Sequence, residues 1–415
     1  MSDEFQPEIN PDAVKKAEMV VCIPSYNEAD SISFPISQAD EGLQKYFPQK
    51  KAVIINCDNN SSDGTRDVFL NTPTKTPKIY ISTPPGVKGK GNNFRNLFKK
   101  VLDLHAKAIV VVDADLKSIT PEWIKHLGEP LYNGFSYVAP LYIRHKYDGT
   151  ITNNIAYPMT RALYGRRVRQ PIGGDFGFSA KLASVYLASD TWNEAVANFG
   201  IDIWMTTLAI ANKARICQSF MGRPKIHRTK DPGAHLGPMF RQVVGTVFTL
   251  MTHFSDLWKK IKYSRPTAIY GFGLGETEMP PKVEVDTQNL LNKFHGGFEE
   301  YQDLWQAILS PDVFNKLMEI RSLKEREFNF PTDLWARLLF DVAISYRDQV
   351  ADRDLMMDSL IPLYFGKTLS FVRKTRRMSI KQAEEAIEED CMTFEMTKPY
   401  LLRTWNNPKG GVYHT

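Results

Sequence analysis

The sequence predicts an α/β fold: a mostly parallel sheet flanked by helices, followed by a C-terminal helical region. Three observations predict it. Four short apolar runs, at 20–23, 52–56, 79–81 and 108–112, alternate with helical stretches, the pattern of a helix-covered parallel sheet. Three of these runs stop at a polar or acidic cluster. After about residue 280 the texture changes to long helical periodicities.

Residues 1–18 are polar and read as a loose lead-in. The strand at 20–23 is stopped by Pro24-Ser25-Tyr26-Asn27-Glu28, and a helix follows to about residue 47, with Pro35 near its start. The strand at 52–56 ends in a polar stretch that includes Asp58 and Ser62-Asp63-Gly64-Thr65. The strand at 79–81 precedes a helix at 92–105, and the strand at 108–112 runs into Asp113-Ala114-Asp115. Ligands of such sheets sit beyond the carboxyl ends of the strands, so Asn27, Glu28, Asp58 and Asp113 should share one rim. Further on, Thr332 or Asp333 can cap a helix carrying Leu334, Leu338, Val342 and Tyr346 on one face. Helices are also expected at 355–374 and 379–397, and the Pro-rich segment 278–282 is the expected boundary. The division is thus a lead-in at 1–18, a first domain at 19–280, a helical region at 281–405 and a tail at 406–415.

A chain of 415 residues is long enough for one large domain or two ordinary ones. Its 43% hydrophobic and 24% charged content are those of a globular protein. A net charge of +5 suits small anionic substrates, but there is no Lys/Arg block of the kind that binds nucleic acid. Four dispersed cysteines with no CxxC pair point away from a disulfide framework or zinc site and toward a reduced cytosol. The acidic N-terminus lacks a signal-peptide pattern, and the apolar stretch at 243–251 is too short to span a bilayer. A cytoplasmic protein without a membrane span is expected.

Five strings carry candidate chemistry. Asp113-Ala114-Asp115 reads by itself as an acidic turn, yet two carboxylates where a buried strand ends can also hold a hard divalent cation. Val87-Lys88-Gly89-Lys90-Gly91 is a glycine-spaced basic loop opening a helix, without Walker A or Rossmann spacing. Its first reading is a solvated basic turn; contact with a phosphate is the second. Gln170-Pro171-Ile172-Gly173-Gly174-Asp175 reads equally as a tight turn or as exposed amides for sugar hydroxyls or phosphate. Asp202 is either a helix N-cap, the commoner case, or a carboxylate aimed into a pocket. A lone histidine such as His227, in a basic run, is usually a surface or structural residue, yet a neutral imidazole can complete a divalent site begun by a carboxylate.

Taken in this order, the strings resemble the GT-A glycosyltransferases, whose fold is Rossmann-like, and within that group the retaining mannosylglycerate synthase and glucosyl-3-phosphoglycerate synthase families. The Gln170 to Asp175 string and His227-Arg228 are the more specific motifs, and Phe328-Asn329-Phe330 with Trp335 extends the likeness into the helical tail. The resemblance implies that Pro24, Tyr26, Glu28, Asp58, Lys88, Asp113, Ala114, Arg228 and Lys230 bind the donor nucleotide. It implies Asp115 and His227 as ligands of Mn²⁺ or Mg²⁺. Gly173, Gly174, Asp175 and Asp202 would meet the donor sugar, and Asp202, Lys88 and Asp115 would serve the chemistry. An arginine that grips the acceptor in mannosylglycerate synthase falls at Gly149 here, which leaves Arg144, Lys146 and Thr150 as acceptor-side candidates.

The implied activity is metal-dependent, retaining transfer of a hexose from a nucleotide-diphosphate sugar, GDP-mannose or UDP- or GDP-glucose, to a small polar, anionic acceptor such as glycerate. A homodimer with no nucleic-acid partner is the implied assembly. Two alternatives stay open: an inverting family-2-like transferase acting on a polysaccharide or lipid phosphate, and a nucleotidyltransferase or non-catalytic nucleotide-sugar-binding protein.

Overall fold

The computed structural model describes residues 7–227, 232–271 and 278–406. Strand β1 is Glu8–Ile9, β2 Met19–Ser25, β3 Ala52–Asp58, β4 Lys78–Ser82, β5 Ala108–Val111 and β6 Tyr137–Leu141. They are followed by β7 (Arg166–Arg167), β8 (Phe176–Ser179), β9 (Ile216–Phe220), β10 (Arg265–Pro266) and β11 (Ala268–Tyr270). The chain divides into two compact units. One comprises Met1–Ile143, Val168–Pro232 and Thr267–Pro280; the other comprises Arg144–Arg167, Gly233–Pro266 and Pro281–Thr415.

The first unit is built on a nine-stranded sheet of order β1-β4-β3-β2-β5-β8-β6-β9-β11. Its centre, β4-β3-β2-β5, is parallel, and every residue of β2, β4 and β5 is buried, as the continuous apolar runs require. The four predicted strands are present; the first three extend by one or two residues at an end, and the fourth stops one residue early, at Val111. The predicted helices appear as Ser33–Tyr46, with Pro35 inside its first turn where no N–H is missed, and Lys90–Asp103. Met19, Val21, Ile54 and Val110 of the sheet pack with Ile36, Leu43, Trp123, Ile124 and Leu127 of the covering helices in one core. The lead-in departs from its expected looseness, because Glu8 and Ile9 pair antiparallel with Ile81 and Tyr80 of β4. A two-residue edge strand needs only backbone groups, so no side-chain pattern announces it.

The strand that matters most for function is β8. It inserts antiparallel between β5 and β6, with Phe176 opposite Val111. Its beginning therefore lies at the end of β5, which brings the 170–175 turn to the rim where the parallel strands finish.

The second unit is helical, with Pro232–His253, Thr287–Ile308, Pro311–Arg321, Thr332–Asp348, Arg353–Thr375 and Ile380–Asn406 as its long elements, and β7 and β10 as a two-stranded parallel pair. It also takes in 144–167 and 233–266, which lie between segments of the first unit in sequence. There the Arg161 guanidinium, 1% exposed, is held by Glu388 and Glu395. The helix at 332 starts with Pro331 at the N-cap position and no side-chain cap. Thr332 is instead spent on Asp390 at 3.0 Å, which corrects the expected capping role. Leu334, Leu338 and Val342 are buried as their spacing predicts. Among the described residues, no helix is long and apolar enough to cross a membrane.

Candidate active site

The rim of the first unit is organised by three acids and two lysines. Asp113 follows the end of β5, and its backbone N–H donates to Asp175 Oδ1 at 2.8 Å. Lys225 Nζ lies 2.6 Å from Asp113 Oδ2 and 2.9 Å from Asp175 Oδ2, and also donates to the Gly173 carbonyl at 2.9 Å. Lys90 Nζ lies 3.1 Å from Asp113 Oδ1 and 3.3 Å from Asp202 Oδ1. Tyr142 donates a short hydrogen bond to the fully buried Asp175. The result is one connected chain of charge, Asp202–Lys90–Asp113–Lys225–Asp175–Tyr142.

Its electrostatics follow from these contacts. Burial would raise the Asp113 carboxyl, but the Lys225 and Lys90 ammonium groups outweigh it and hold that carboxyl far below the ordinary range. Asp202 moves the other way. Burial raises it, the neighbouring charge of Asp113 adds to the rise, and Lys90 and Lys225 oppose without cancelling it. In both lysines burial disfavours the charge, yet the attraction of Asp113 prevails and keeps their affinity for the proton above normal.

Local structure explains why these side chains meet. Gly174 has φ +86°, and a Cβ there would lie 2.5 Å from both Asp113 Oδ2 and Lys225 Nζ. Only glycine lets the turn close over that ion pair. The glycines of the basic loop do a different job from the expected approach to an anion. A Cβ on Gly91 would stand 1.9 Å from the Val196 carbonyl oxygen, and the Gly91 N–H donates to the Asn198 carbonyl at 3.2 Å. The loop thus docks on the 194–198 segment, and the helix beginning at Lys90 turns that lysine toward the acids. Lys88 is exposed, with its ammonium 4.8 Å from the centre of the Tyr26 ring. Asp202 is not the N-cap of its helix, Ile201–Ala211; Gly200 holds that position, and the Asp202 carboxylate is paired with Lys90.

The remaining donor-side candidates divide as follows. Asp58, at the end of β3, is fully buried and accepts from Ser25 Oγ, the backbone N–H and hydroxyl of Ser61, and Tyr80 OH, all within 2.9 Å. Pro24 lies in β2 opposite Cys57 of β3, one residue from Asp58. Glu28 is buried and accepts from Ser31 Oγ at 2.6 Å, while its backbone N–H is held by Thr65 Oγ1. Tyr26 is 40% exposed at the same rim.

After Ala114, which is buried, the chain pairs with the segment that carries the histidine. Leu116 forms an antiparallel bridge with His227, the Lys117 N–H donates to the Ile226 carbonyl at 2.8 Å, and the Ile226 N–H donates to Ser118 Oγ at 2.8 Å. His227 is thereby set in register one residue from Asp115, across 112 residues of sequence. Arg228 and Lys230 lie outside the described residues.

The acceptor-side candidates belong to the second unit. Lys146 gives its ammonium to the carbonyls of Thr375, Arg376 and Met378, at 2.7, 3.3 and 2.7 Å. Three acceptors use its three protons, so Lys146 is a clasp on the end of the Arg353–Thr375 helix rather than the expected acceptor ligand. Thr150 shares a short hydrogen bond with the Tyr364 hydroxyl. Gly149 has φ +66°, and a Cβ there would lie 2.8 Å from Arg144 Nη1. Arg144 therefore fills the space over the position where the resemblance places an arginine.

Lys90, Lys225 and Tyr142 were absent from the sequence-derived site. Lys90 lies within the glycine-spaced basic loop and Lys225 two residues before His227, and those glycine and histidine neighbours were the available signal. Tyr142 had none.

Residues 20–190 match the family described as glycosyl transferase family 2. The match takes in strands β3 to β8 and the rim residues Asp58, Asp113 and Asp175, so this part of the chain is similar to glycosyltransferases. Among solved structures, the chain is similar to glucosyl-3-phosphoglycerate synthase from Mycobacterium tuberculosis in complex with Mn²⁺, uridine-diphosphate and glucosyl-3-phosphoglycerate. The identity is 22% over 64% of this chain and 89% of that one, with a TM-score of 0.45. A second complex of that enzyme, with Mn²⁺, uridine-diphosphate-glucose and phosphoglyceric acid, gives 22% identity over 58% and 80% of the two chains, and a TM-score of 0.44. No curated protein sequence matches the chain significantly.

Proposed function

We propose that the protein is a metal-dependent, retaining glycosyltransferase that moves a hexose from a nucleoside-diphosphate sugar to a small polar, anionic acceptor. The observation that supports this reading is the antiparallel bridge of Leu116 with His227, which brings the backbone just after Asp115 against that of His227 at the rim of the sheet. Among the described residues there is no group of three or more His, Cys, Asp or Glu side chains able to hold a metal. A carboxylate with one imidazole suits a divalent ion whose remaining positions are filled by diphosphate oxygens and water, and does not suit a closed structural site. When bound, such an ion supplies positive charge to the departing diphosphate.

The chain's own groups do the rest. Tyr26 offers a face for the base, with Asp58 and Glu28 beside it. Lys90 and Lys225 carry the positive charge that a diphosphate needs, and Gly174 lets the turn approach closely enough to reach the donor. As negative charge grows on the leaving phosphate, fixed ammonium groups stabilise that charge more than they stabilise the bound donor. Asp202, paired with Lys90, is placed to accept from sugar hydroxyls.

The test is a thermal-shift screen of UDP- and GDP-sugars with Mn²⁺ or Mg²⁺, followed by transfer assays on glycerate and phosphorylated glycerates. One nucleotide alone should raise the melting temperature, and only with metal. A shift that ignores the metal, or pyrophosphate as the released product, would overturn the proposal.

A further inference from the structure

At the opposite edge of the first unit's sheet, where the parallel strands begin, lies a cleft of about 390 Å³. It is bounded by the segment before β2, the end of the Ser33–Tyr46 helix, and the turns that enter β3 and β4. Leu43 and Phe47 form its apolar floor. Its rim carries five lysines: Lys15, Lys16, Lys50, Lys51 and Lys75. Among the described residues none of the five is in an ion pair, and Lys50 alone has an aromatic neighbour, the Tyr132 ring at 4.6 Å.

The acids nearby are already engaged. Asp40 accepts the backbone N–H groups of Lys75 and Thr76 at 2.9 and 2.8 Å. Glu18 is bound by Lys107 at 2.9 Å, and Asp12 accepts the Lys78 N–H at 3.2 Å. These carboxylates keep their charge, and Glu18 also attracts Lys50, but the five lysines outnumber the three acids and leave a local excess of positive charge gathered around an apolar depression. Five lysines only partly balanced by neighbouring acids repel one another and are stabilised by an anionic partner.

We propose that this cleft is a docking site for an acidic peptide segment of a partner protein, with an apolar side chain between carboxylates. The concave apolar floor takes the anchor, and the flexible lysines take the flanking acids. The arrangement is that of an interface with a buried apolar centre and a charged rim. A flat anionic membrane would not fill a concavity, and an inorganic polyphosphate would make no use of Leu43 and Phe47.

The experiment is fluorescence anisotropy on the full chain, using a labelled nonapeptide with a central leucine flanked on each side by four glutamates. Saturable binding is expected, weakened by added salt and weakened about tenfold or more in a K15E/K51E/K75E variant. A peptide with glycine in place of the leucine should bind several-fold more weakly. Transfer activity should be unchanged in the variant, because these residues lie at the edge away from Asp113. A milder K51Q/K75Q variant gives an intermediate loss and guards against misfolding of the reversal. Binding indifferent to both variants overturns the proposal. So does equal binding of the glycine peptide or of tripolyphosphate, or binding confined to anionic vesicles.

Discussion

Lys90 stands between two carboxylates, 3.1 Å from Asp113 and 3.3 Å from Asp202, and links them. Those two acids respond in opposite directions to the same surroundings, one held ionised and the other pushed toward its neutral form. The lysine that balances them is therefore the position at which charge at this site is set.

Lys90→Ala should lower the transfer rate by about 100-fold or more, because it removes a cation from beside the leaving group and leaves Asp113 and Asp202 facing each other. Lys88→Ala should raise the donor KM by less than about tenfold with kcat nearly intact, since its ammonium lies over Tyr26 on the exposed side. Steady-state kinetics on both variants decide the matter. Equal losses would mean that the two lysines share one role.

Asp115→Ala and His227→Ala should each abolish metal-dependent transfer while the far-ultraviolet circular dichroism stays native. Calorimetric titration with Mn²⁺ in the presence of nucleoside diphosphate should show the binding lost. Full activity after exhaustive chelation would remove the metal assignment.

Gly174→Ala combines a left-handed backbone with a methyl group 2.5 Å from the Asp113–Lys225 pair. It should cost about 1–3 kcal/mol in urea unfolding and reduce transfer as well. Gly64→Ala also sits at positive φ, +92°, but meets nothing within 4 Å, so it should be the milder change. A Gly174 variant as stable as the parent would show that the turn relaxes freely.

Acid stability should carry a mark of Glu122. Burial would raise its carboxyl, but the hydrogen bond from Tyr46 at 2.5 Å, with others, lowers it to about 2. A carboxyl depressed on folding stabilises the native state above its unfolded value of 4.5, and that contribution fades as pH falls toward 2. Glu122→Gln should flatten the stability curve across this window. The side chain is 43% exposed, so screening limits the effect to below about 1 kcal/mol. An unchanged acid limb would assign it to other carboxyls.

The sequence by itself determined the sheet's parallel centre and the rim on which the acids gather. Apolar runs alternating with helices leave few ways to connect parallel strands, and every such strand must finish on the same side. Asp58 and Asp113 were therefore legible as neighbours of one crevice, and Leu334, Leu338 and Val342 as one buried helix face. Tertiary structure alone decided which side chains meet there. The choice of Lys90 over Lys88 depends on Gly91 docking under the Val196 carbonyl, a contact between segments more than a hundred residues apart. Lys225 and His227 reach the rim through pairing with the residues that follow Asp115, and Asp175 arrives there because β8 runs antiparallel. The same holds for Lys146, whose protons are taken by the carbonyls at the end of a helix more than two hundred residues away. Periodicity records which face of an element is apolar, whereas the direction of a single polar side chain is set by the distant backbone against which that element packs.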